Sequence, residues 1–252
     1  MRLMFEERFI AFVDILGFKE IVKQATNDIT YQDKVSKVLN YIAKIRNDNY
    51  YSDWAKQGVF NDVSVFSDSI VISYPCDRSD GDGLFYLLMD LIHLCFILIR
   101  NNIYVRGGIT VGGVIHDQNI SWGPAFVDAY ELENQNAIYP RIIIDRKAIE
   151  RGKELYAQKF PLDQDGDDLD KLIQLDEDGA YFLDYLSQWG EFDDPEDYLE
   201  WLEYIRIGVE DNLKNAKEPR IKMKYVWFAH YYNDTVKKLK GCYQGKLIDL
   251  SN

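Results

Sequence analysis

Cysteine is scarce in this chain, and so is positive charge. The three cysteines, Cys76, Cys95 and Cys242, stand far apart in 252 residues, with no CxxC spacing and no even count. That excludes a disulfide-framed secreted domain and fits reduced thiols in a cytosolic protein. The chain has 29 Lys and Arg against 42 Asp and Glu, a formal charge of −13. Binding to a phosphate backbone rests on clustered cations, so a nucleic-acid partner is not expected. A small anionic substrate is not excluded, because a bound divalent cation reverses the sign of one pocket.

Other signatures are missing too. The three histidines, His93, His116 and His230, form no HExxH or paired-histidine motif, which argues against histidine-based zinc chemistry. There is no Gly-x-Ser-x-Gly elbow and no P-loop. The N-terminus carries no signal-like apolar stretch, and its strand-like run is broken by Asp14. Leu84 to Ile99 is apolar but short for a bilayer and contains Asp90 and His93. It reads as a buried helix, so no membrane partner is expected and the protein is placed in the cytoplasm.

What is present is an ample core: 47% apolar and 14% aromatic residues. Phe9 to Leu16 reads as a central strand, apolar on both faces. A helix is expected from about Gly17, and another over Tyr31 to Asn47, with Val35, Val38, Leu39, Ile42 and Ile45 at helical spacing. Val59 to Ser73 reads as a hairpin turning near Ser67-Asp68. Leu84 to Arg100 is the buried helix. Val105 to Ile115 is a strand whose "VRGGITVGG" suggests close approach of a ligand or partner backbone. Phe126 to Asn136 is helical, and "RIIID" (Arg141 to Asp145) is a further buried strand. The order β-α-α-β-β-α-β-α-β predicts an α+β fold with a ferredoxin-like core, its helices on one face of a mainly antiparallel sheet.

Past Gly152 the chain turns acidic and turn-rich, with "DQDGDDLD", "DEDG" and "EFDDPED". The first of these lacks the twelfth-position glutamate of an EF-hand and reads as a solvated loop. Asp197 to Asn215 is an amphipathic helix with Tyr198, Leu199, Leu202, Ile205 and Val209 on one face, and Lys224 to Asn233 is an aromatic-rich helix. The expectation is one domain: a core over about 5–152 and a mainly helical C-terminal elaboration over about 153–252.

Two strand-like runs, "FIAFVDILGF" and "VSVFSDSIVIS", are each interrupted by one aspartate, Asp14 and Asp68. Taken singly, Asp14 suits a helix N-cap and Asp68 an ordinary turn. Taken together, the predicted topology brings both to one edge of the sheet. Two carboxylates that close resist ionisation unless a cation joins them, and oxygen-only ligation suits Mg²⁺ or Mn²⁺. Two ions between two carboxylates suit phosphoryl transfer. Between the aspartates in sequence, "ILGFK" offers backbone amides at a helix start, around Gly17, Phe18 and Lys19, as a cradle for phosphate oxygens.

"FVDILGF", "FSDSIVIS", "VRGGITVGG" and "GPAFVDAYELE", in this order, resemble the catalytic core of class III nucleotidyl cyclases. With "AIYPRI" the chain resembles more closely the pyrimidine cyclases of Pycsar anti-phage defence, over about Phe9 to Ala148. The resemblance implies conversion of UTP or CTP to its 3′,5′-cyclic monophosphate and pyrophosphate. The product would be a second messenger, so an effector would be reached only through it. The resemblance further implies a head-to-tail homodimer with sites at the interface. It places two Mg²⁺ or Mn²⁺ ions on Asp14 and Asp68, with the backbone of Ile15 as a further metal ligand.

The sequence also departs from the purine enzymes of that family. They carry an Asn and an Arg four and eight residues after the motif glycine; counting from Gly123, those places hold Val127 and Glu131. The positions that select adenine fall at Asp62 and Ile120 and match neither purine pattern. Arg106 and Arg141 are the candidates to replace the missing cation, each with a structural ion pair as the alternative. Lys222 and Lys224 are candidates to clasp the β- and γ-phosphates. Tyr50 and Tyr51 are candidates to wall a base pocket, with core packing as the alternative. Competing readings are an adenylate or guanylate cyclase of the same fold, a nucleotide-binding dimerisation module without catalysis, and a polymerase palm or aspartate nuclease.

Overall fold

The computed structural model describes residues 4–47, 61–76, 83–117, 120–160, 169–239 and 245–250. Tyr50, Tyr51, Cys242 and most of the "DQDGDDLD" stretch lie outside them.

The core begins with β1 (Glu6–Ile15), α1 (Phe18–Asn27) and α2 (Ile29–Asn47), followed by the hairpin β2 (Asp62–Phe66) and β3 (Ser69–Pro75). Then come α3 (Gly83–Arg100), β4 (Val105–His116), the short β5 (Ser121–Trp122), α4 (Pro124–Asn136), β6 (Ile142–Ile144) and α5 (Arg146–Lys159). Among the described residues the sheet runs β2-β3-β1-β4-β6-β8-β7, with β5 paired to β4. Strands β2, β3, β1 and β4 are antiparallel throughout, and β6 joins β4 in parallel. This is the expected α+β arrangement of a ferredoxin-like core, and β1 is central as its two-sided apolar run requires.

Alternation along β1 divides the core. Phe9, Ala11 and Val13 belong to the larger cluster, with Leu84, Leu87, Leu91 and Leu98 of α3. By length and composition α3 is the one helix among the described residues that reaches the span of a membrane. Eleven of its 18 residues are buried, so its apolarity serves the core. Ile10 and Phe12 point the other way, toward Ala125 and Ala129 of α4. Phe12 makes edge contacts with Phe126 and Tyr130, at centroid distances of 5.9 and 5.4 Å. Helices therefore lie on both faces, not on one. The sequence signal for this was "VRGGITVGG": a Cβ on Gly108 would lie 2.5 Å from the Ala129 carbonyl oxygen. The close backbone approach expected there is made by the chain's own α4.

The C-terminal part is α6 (Leu169–Leu172), β7 (Ile173–Leu175), β8 (Tyr181–Leu183), α7 (Pro195–Asn215) and α8 (Pro219–Lys238). Its helices match the expected amphipathic segments. Strands β7 and β8 extend the core sheet from the β6 edge, with Ile143 opposite Phe182. The "DEDG" stretch is the turn between them, where Gly179 has φ 83° and Asp176 N–H donates to the Ala180 carbonyl. α8 buries Phe228, Tyr231, Tyr232 and Val236 in the main core.

Candidate active site

Asp14 is the penultimate residue of β1, opposite Ser69 of β3 on one side and Arg106 of β4 on the other. The hairpin turn closes over the strand end: Ile15 N–H donates to the Asp68 carbonyl at 3.0 Å. Ser67 takes a left-handed φ of 55° to make this two-residue turn. Asp14, Ile15 and Asp68 thus meet at one end of the sheet, and the charge of Asp68 is felt at Asp14. Burial raises the Asp14 carboxyl above its ordinary value; Arg106 opposes the shift and Asp68 adds to it.

Arg106 is the local counter-charge. Its Nε lies 3.3 Å from Asp14 Oδ2 and 2.7 Å from Glu133 Oε1. Glu133 is a site residue the sequence reading missed. Burial pushes its carboxyl up to about 6; Arg106 opposes this, and Asp14 and Asp68 add to it. The signal was in the motif itself. Ala125, Ala129 and Glu133 are spaced i, i+4, i+8 and are the three buried residues of α4, so this glutamate sits on the core stripe. Gly108 then lets that stripe lie directly on β4, beside Arg106.

After β1 the chain turns through Gly17, at φ 73°, into α1, whose N-terminus has no side-chain cap. Leu16 N–H donates to the Tyr104 carbonyl, which ties this turn to the start of β4. Lys224, on α8, comes to the same place. Burial lowers its pKa, and the charges of Arg106 and Arg220 add to that, while Asp14 and Glu133 act in the other direction. The structure therefore gathers Asp14, Ile15, Asp68, Arg106 and Lys224 with the start of α1, where Gly17, Phe18 and Lys19 lie.

Other candidates are placed elsewhere. Lys222 faces a different cavity, with Glu210, Lys214 and His230. Arg141 is 1% exposed and its guanidinium is taken by Asp176 and Asp178 of the β7–β8 turn. It also lies 5.2 Å from the Tyr139 ring and 5.6 Å from that of Trp227. Of its two alternatives, the structural ion pair is the one formed. Val127 and Glu131 are on the exposed side of α4.

Asp62 lies toward the far end of the hairpin, opposite Ser73, roughly 13 Å along the strand from the Asp14 end. It feels the charge of Asp117, whose N–H donates to the carbonyl of Ile120. Arg8 bonds Asp62 at 2.6 Å and donates its Nε–H to Ser73 Oγ at 2.9 Å. Ser73 Oγ lies 2.7 Å from His116 Nδ1, and His116 Nε2 lies 3.0 Å from Ser64 Oγ. Burial, with the charge of Arg8, lowers the His116 pKa to about 4, so the ring is neutral at pH 7. Asp62, Ser64, Ser73, Arg8 and Asp14 share one sheet face by register.

Among the described residues no three Cys, His, Asp or Glu side chains gather into a metal cage. The donor set fits a divalent cation of another kind. Mg²⁺ takes one or two carboxylates at an open edge and completes its shell with water and substrate phosphates. Asp14 and Asp68, with the Ile15 backbone beside them, are such a set.

No protein-family model matches the chain, and no curated protein matches it. Solved structures of similar fold include the guanylate cyclase domain of RhGC from Catenaria anguillulae in complex with GTP, with 17% identity and a TM-score of 0.43. That match covers 60% of this chain and 84% of that one. The adenylyl cyclase CyaB from P. aeruginosa aligns with 16% identity and a TM-score of 0.39, over 61% and 84% of the two chains. The monomeric guanylyl cyclase domain of the RhoGC fusion protein from the aquatic fungus Blastocladiella emersonii aligns with 15% identity and a TM-score of 0.44, over 72% and 96%.

Proposed function

We propose that this chain is a nucleotidyl cyclase that converts UTP or CTP to the 3′,5′-cyclic monophosphate and pyrophosphate. The observation that carries the reading is the meeting of Asp14 and Asp68 at one sheet end, with Arg106, Glu133 and Lys224 around them. Partly buried carboxylates whose charges act on one another favour a cation, and the adjoining cations favour a phosphate chain.

The reaction joins the ribose 3′-oxygen to the α-phosphorus and breaks the bond from that phosphorus to the bridging oxygen of the β-phosphate. The hydroxyl proton passes to water. Two Mg²⁺ or Mn²⁺ ions, when bound, would make the 3′-oxygen more acidic and neutralise the triphosphate. Asp14, Asp68 and the Ile15 carbonyl are the groups that would hold those ions. The open amides at Gly17 and Phe18 face phosphate oxygens, with Lys19 exposed beside them and Lys224 on the leaving pyrophosphate. Arg106, held by Glu133, is the cation offered to the α-phosphate in place of the family's arginine. Arg141 has no role in the chemistry on this account.

The base is read from a second copy of the chain. Asp14 and the group around Asp62 sit at opposite ends of one sheet face, so a head-to-tail homodimer joins one protomer's metal end to its partner's Asp62 end. Exposed apolar residues near this face suit such a contact: Phe5, Trp122, Val127 and Tyr130 are each more than 40% exposed. Asp62 is bonded to Arg8 and Ile120 is an exposed aliphatic, so neither purine pattern is in place; the choice of a pyrimidine follows the sequence resemblance. Core and C-terminal elaboration act as one unit, in the cytoplasm. The role that goes with this is messenger synthesis in anti-phage defence. The test is product identity, by mass spectrometry, after incubation with each ribonucleoside triphosphate and Mn²⁺.

A second reading has one observation behind it. Val127 and Glu131 stand where the family's transition-state Asn and Arg would be. A nucleotide-binding, dimerising module would bind the triphosphate and release it unchanged.

A further inference from the structure

A cavity of about 500 Å³ opens between the start of α1 and the C-terminal helices, and its wall includes Gly17, Tyr104, Arg220 and Lys224. Arg220 and Lys224 are one helical turn apart on α8, so their side chains share a face. Each is close enough to the other for Arg220 to lower the Lys224 pKa, along with burial and Arg106. Neither has an ion-pair partner among the described residues. Among the described residues the one carboxylate on that wall, Glu20, pairs with Lys23 at 3.6 Å, so two adjacent cations repel with no bonded carboxylate to offset them, an unfavourable arrangement. It becomes favourable when an anion enters between them.

The cations also form a row. Lys224 feels Asp14, Glu133, Arg106 and Arg220, whereas Asp14 feels Arg106, bonded to it, and Lys224 but not Arg220. Moving away from the two aspartates, the order is Arg106, Lys224, Arg220. A single phosphate needs one such group, whereas a polyphosphate spreads its charge along successive phosphoryl groups and matches a row. The row is fixed by the core. Tyr225, next to Lys224, packs edge-on to Tyr104 at 5.4 Å, and Phe228 is fully buried one turn on. A site carried on a packed helix holds its geometry better than one on a loop.

Resting on the cyclase reading, we propose that α8 is part of the substrate site and that Arg220 reads the terminal phosphate of the nucleoside triphosphate. Its forked guanidinium suits a phosphoryl group with three free oxygens, which only the terminal one has. The C-terminal elaboration thereby measures the length of the phosphate chain, favouring triphosphates over diphosphates. Lys222, two residues along, points into a different cavity and takes no part.

The experiment is calorimetric titration of the full chain with inorganic tripolyphosphate and, separately, UDP, Mg²⁺ being present in both. Wild-type protein should prefer tripolyphosphate. Arg220→Ala should weaken tripolyphosphate binding about tenfold, as expected for a lost charged hydrogen bond, and leave UDP binding nearly unchanged, because the α- and β-phosphates of a diphosphate stop short of Arg220. Arg220→Lys should recover part of the preference, and Lys222→Ala should match wild type. Equal tripolyphosphate affinity in wild type and Arg220→Ala would overturn the proposal, as would an equal loss from Lys222→Ala. The titrations need no turnover. If Arg220→Ala behaves as expected but no nucleotide is cyclised, the clamp stands and the cyclase reading falls. If nucleotides are cyclised and Arg220→Ala binds tripolyphosphate normally, the reverse holds.

Discussion

Arg106 and Asp14 face each other across the β4–β1 ladder, and the Arg106 Nε lies 3.3 Å from Asp14 Oδ2. The same nitrogen is 2.7 Å from Glu133 Oε1. One guanidinium thus serves two half-buried or buried carboxylates at the sheet end where the Asp68 turn closes. Removing Glu133 would free Arg106 to sit more fully on Asp14, and the arrangement has direct consequences for variants.

Asp14→Ala and Asp68→Ala should each reduce cyclic nucleotide formation at least a hundredfold. Each should keep the fold, because losing one carboxylate relieves repulsion in the metal-free chain. Thermal unfolding without divalent ions checks the second part: melting temperatures at or above wild type are expected. A large drop in melting temperature would mean that the pair is structural.

Arg141→Ala should act on stability instead. It leaves a void beside Asp176, which keeps a hydrogen bond from Trp227, and beside Asp178, which is half exposed. The loss should therefore fall toward the low end of the roughly 3–5 kcal/mol for breaking a buried pair from one side. Urea unfolding should show that loss, while turnover per folded molecule stays near wild type at low temperature. A normal melting temperature with turnover abolished would return Arg141 to the chemistry.

Asp90 provides a pH signature separate from the site. Burial pushes its carboxyl up from 3.8 to about 6, and hydrogen bonds from Tyr74 and Asn61 oppose the shift. A carboxyl whose pKa is raised on folding contributes stability below its unfolded value and loses it as pH rises through the folded value. Relative to Asp90→Asn, the wild-type chain should therefore gain up to about 3 kcal/mol as pH falls from 7 to 4. Neutral His116, whose pKa is lowered, acts in the opposite direction in both proteins and cancels in the difference. Urea titrations across that range give the answer; a difference independent of pH would contradict it.

Shared sites should be recoverable by mixing. An Asp14→Ala chain lacks the metal end, and an Ile120→Arg chain has an obstructed far end. In a mixed head-to-tail dimer one of the two sites is intact, so random pairing should restore roughly a quarter of wild-type activity. No recovery on mixing two soluble, dimeric variants would contradict a site built from two copies.

How much of this could be read from the residues depends on how local each signal is. Asp14 and Asp68 stood out because each interrupts an apolar run, and the central strand and hairpin around them follow from the same runs. Glu133 did not, because a charge on a helix is by default a solvated one; only its spacing from Ala125 and Ala129 marked it as buried. The partners of Arg141 were invisible for another reason. Asp176 and Asp178 lie 35 and 37 residues away, in a turn between three-residue strands too short to leave a period-2 pattern. α4 on the second face was encoded in Gly108, but a glycine marks close approach without saying what approaches. The cations Arg220 and Lys224 read as ordinary solvated helix charges until α8 was seen to lie over the Gly17 turn.

The central claim is that Asp14 and Asp68 support cyclisation of a pyrimidine nucleoside triphosphate. The measurement is a side-by-side incubation of wild-type and Asp14→Ala chains with ATP, GTP, CTP and UTP and Mn²⁺, with products weighed by mass spectrometry. Wild type should yield cyclic UMP or cyclic CMP with pyrophosphate, about tenfold or more faster than either purine product, and Asp14→Ala should yield at least about a hundredfold less. No cyclic monophosphate from any of the four, or undiminished product from Asp14→Ala, would contradict the account.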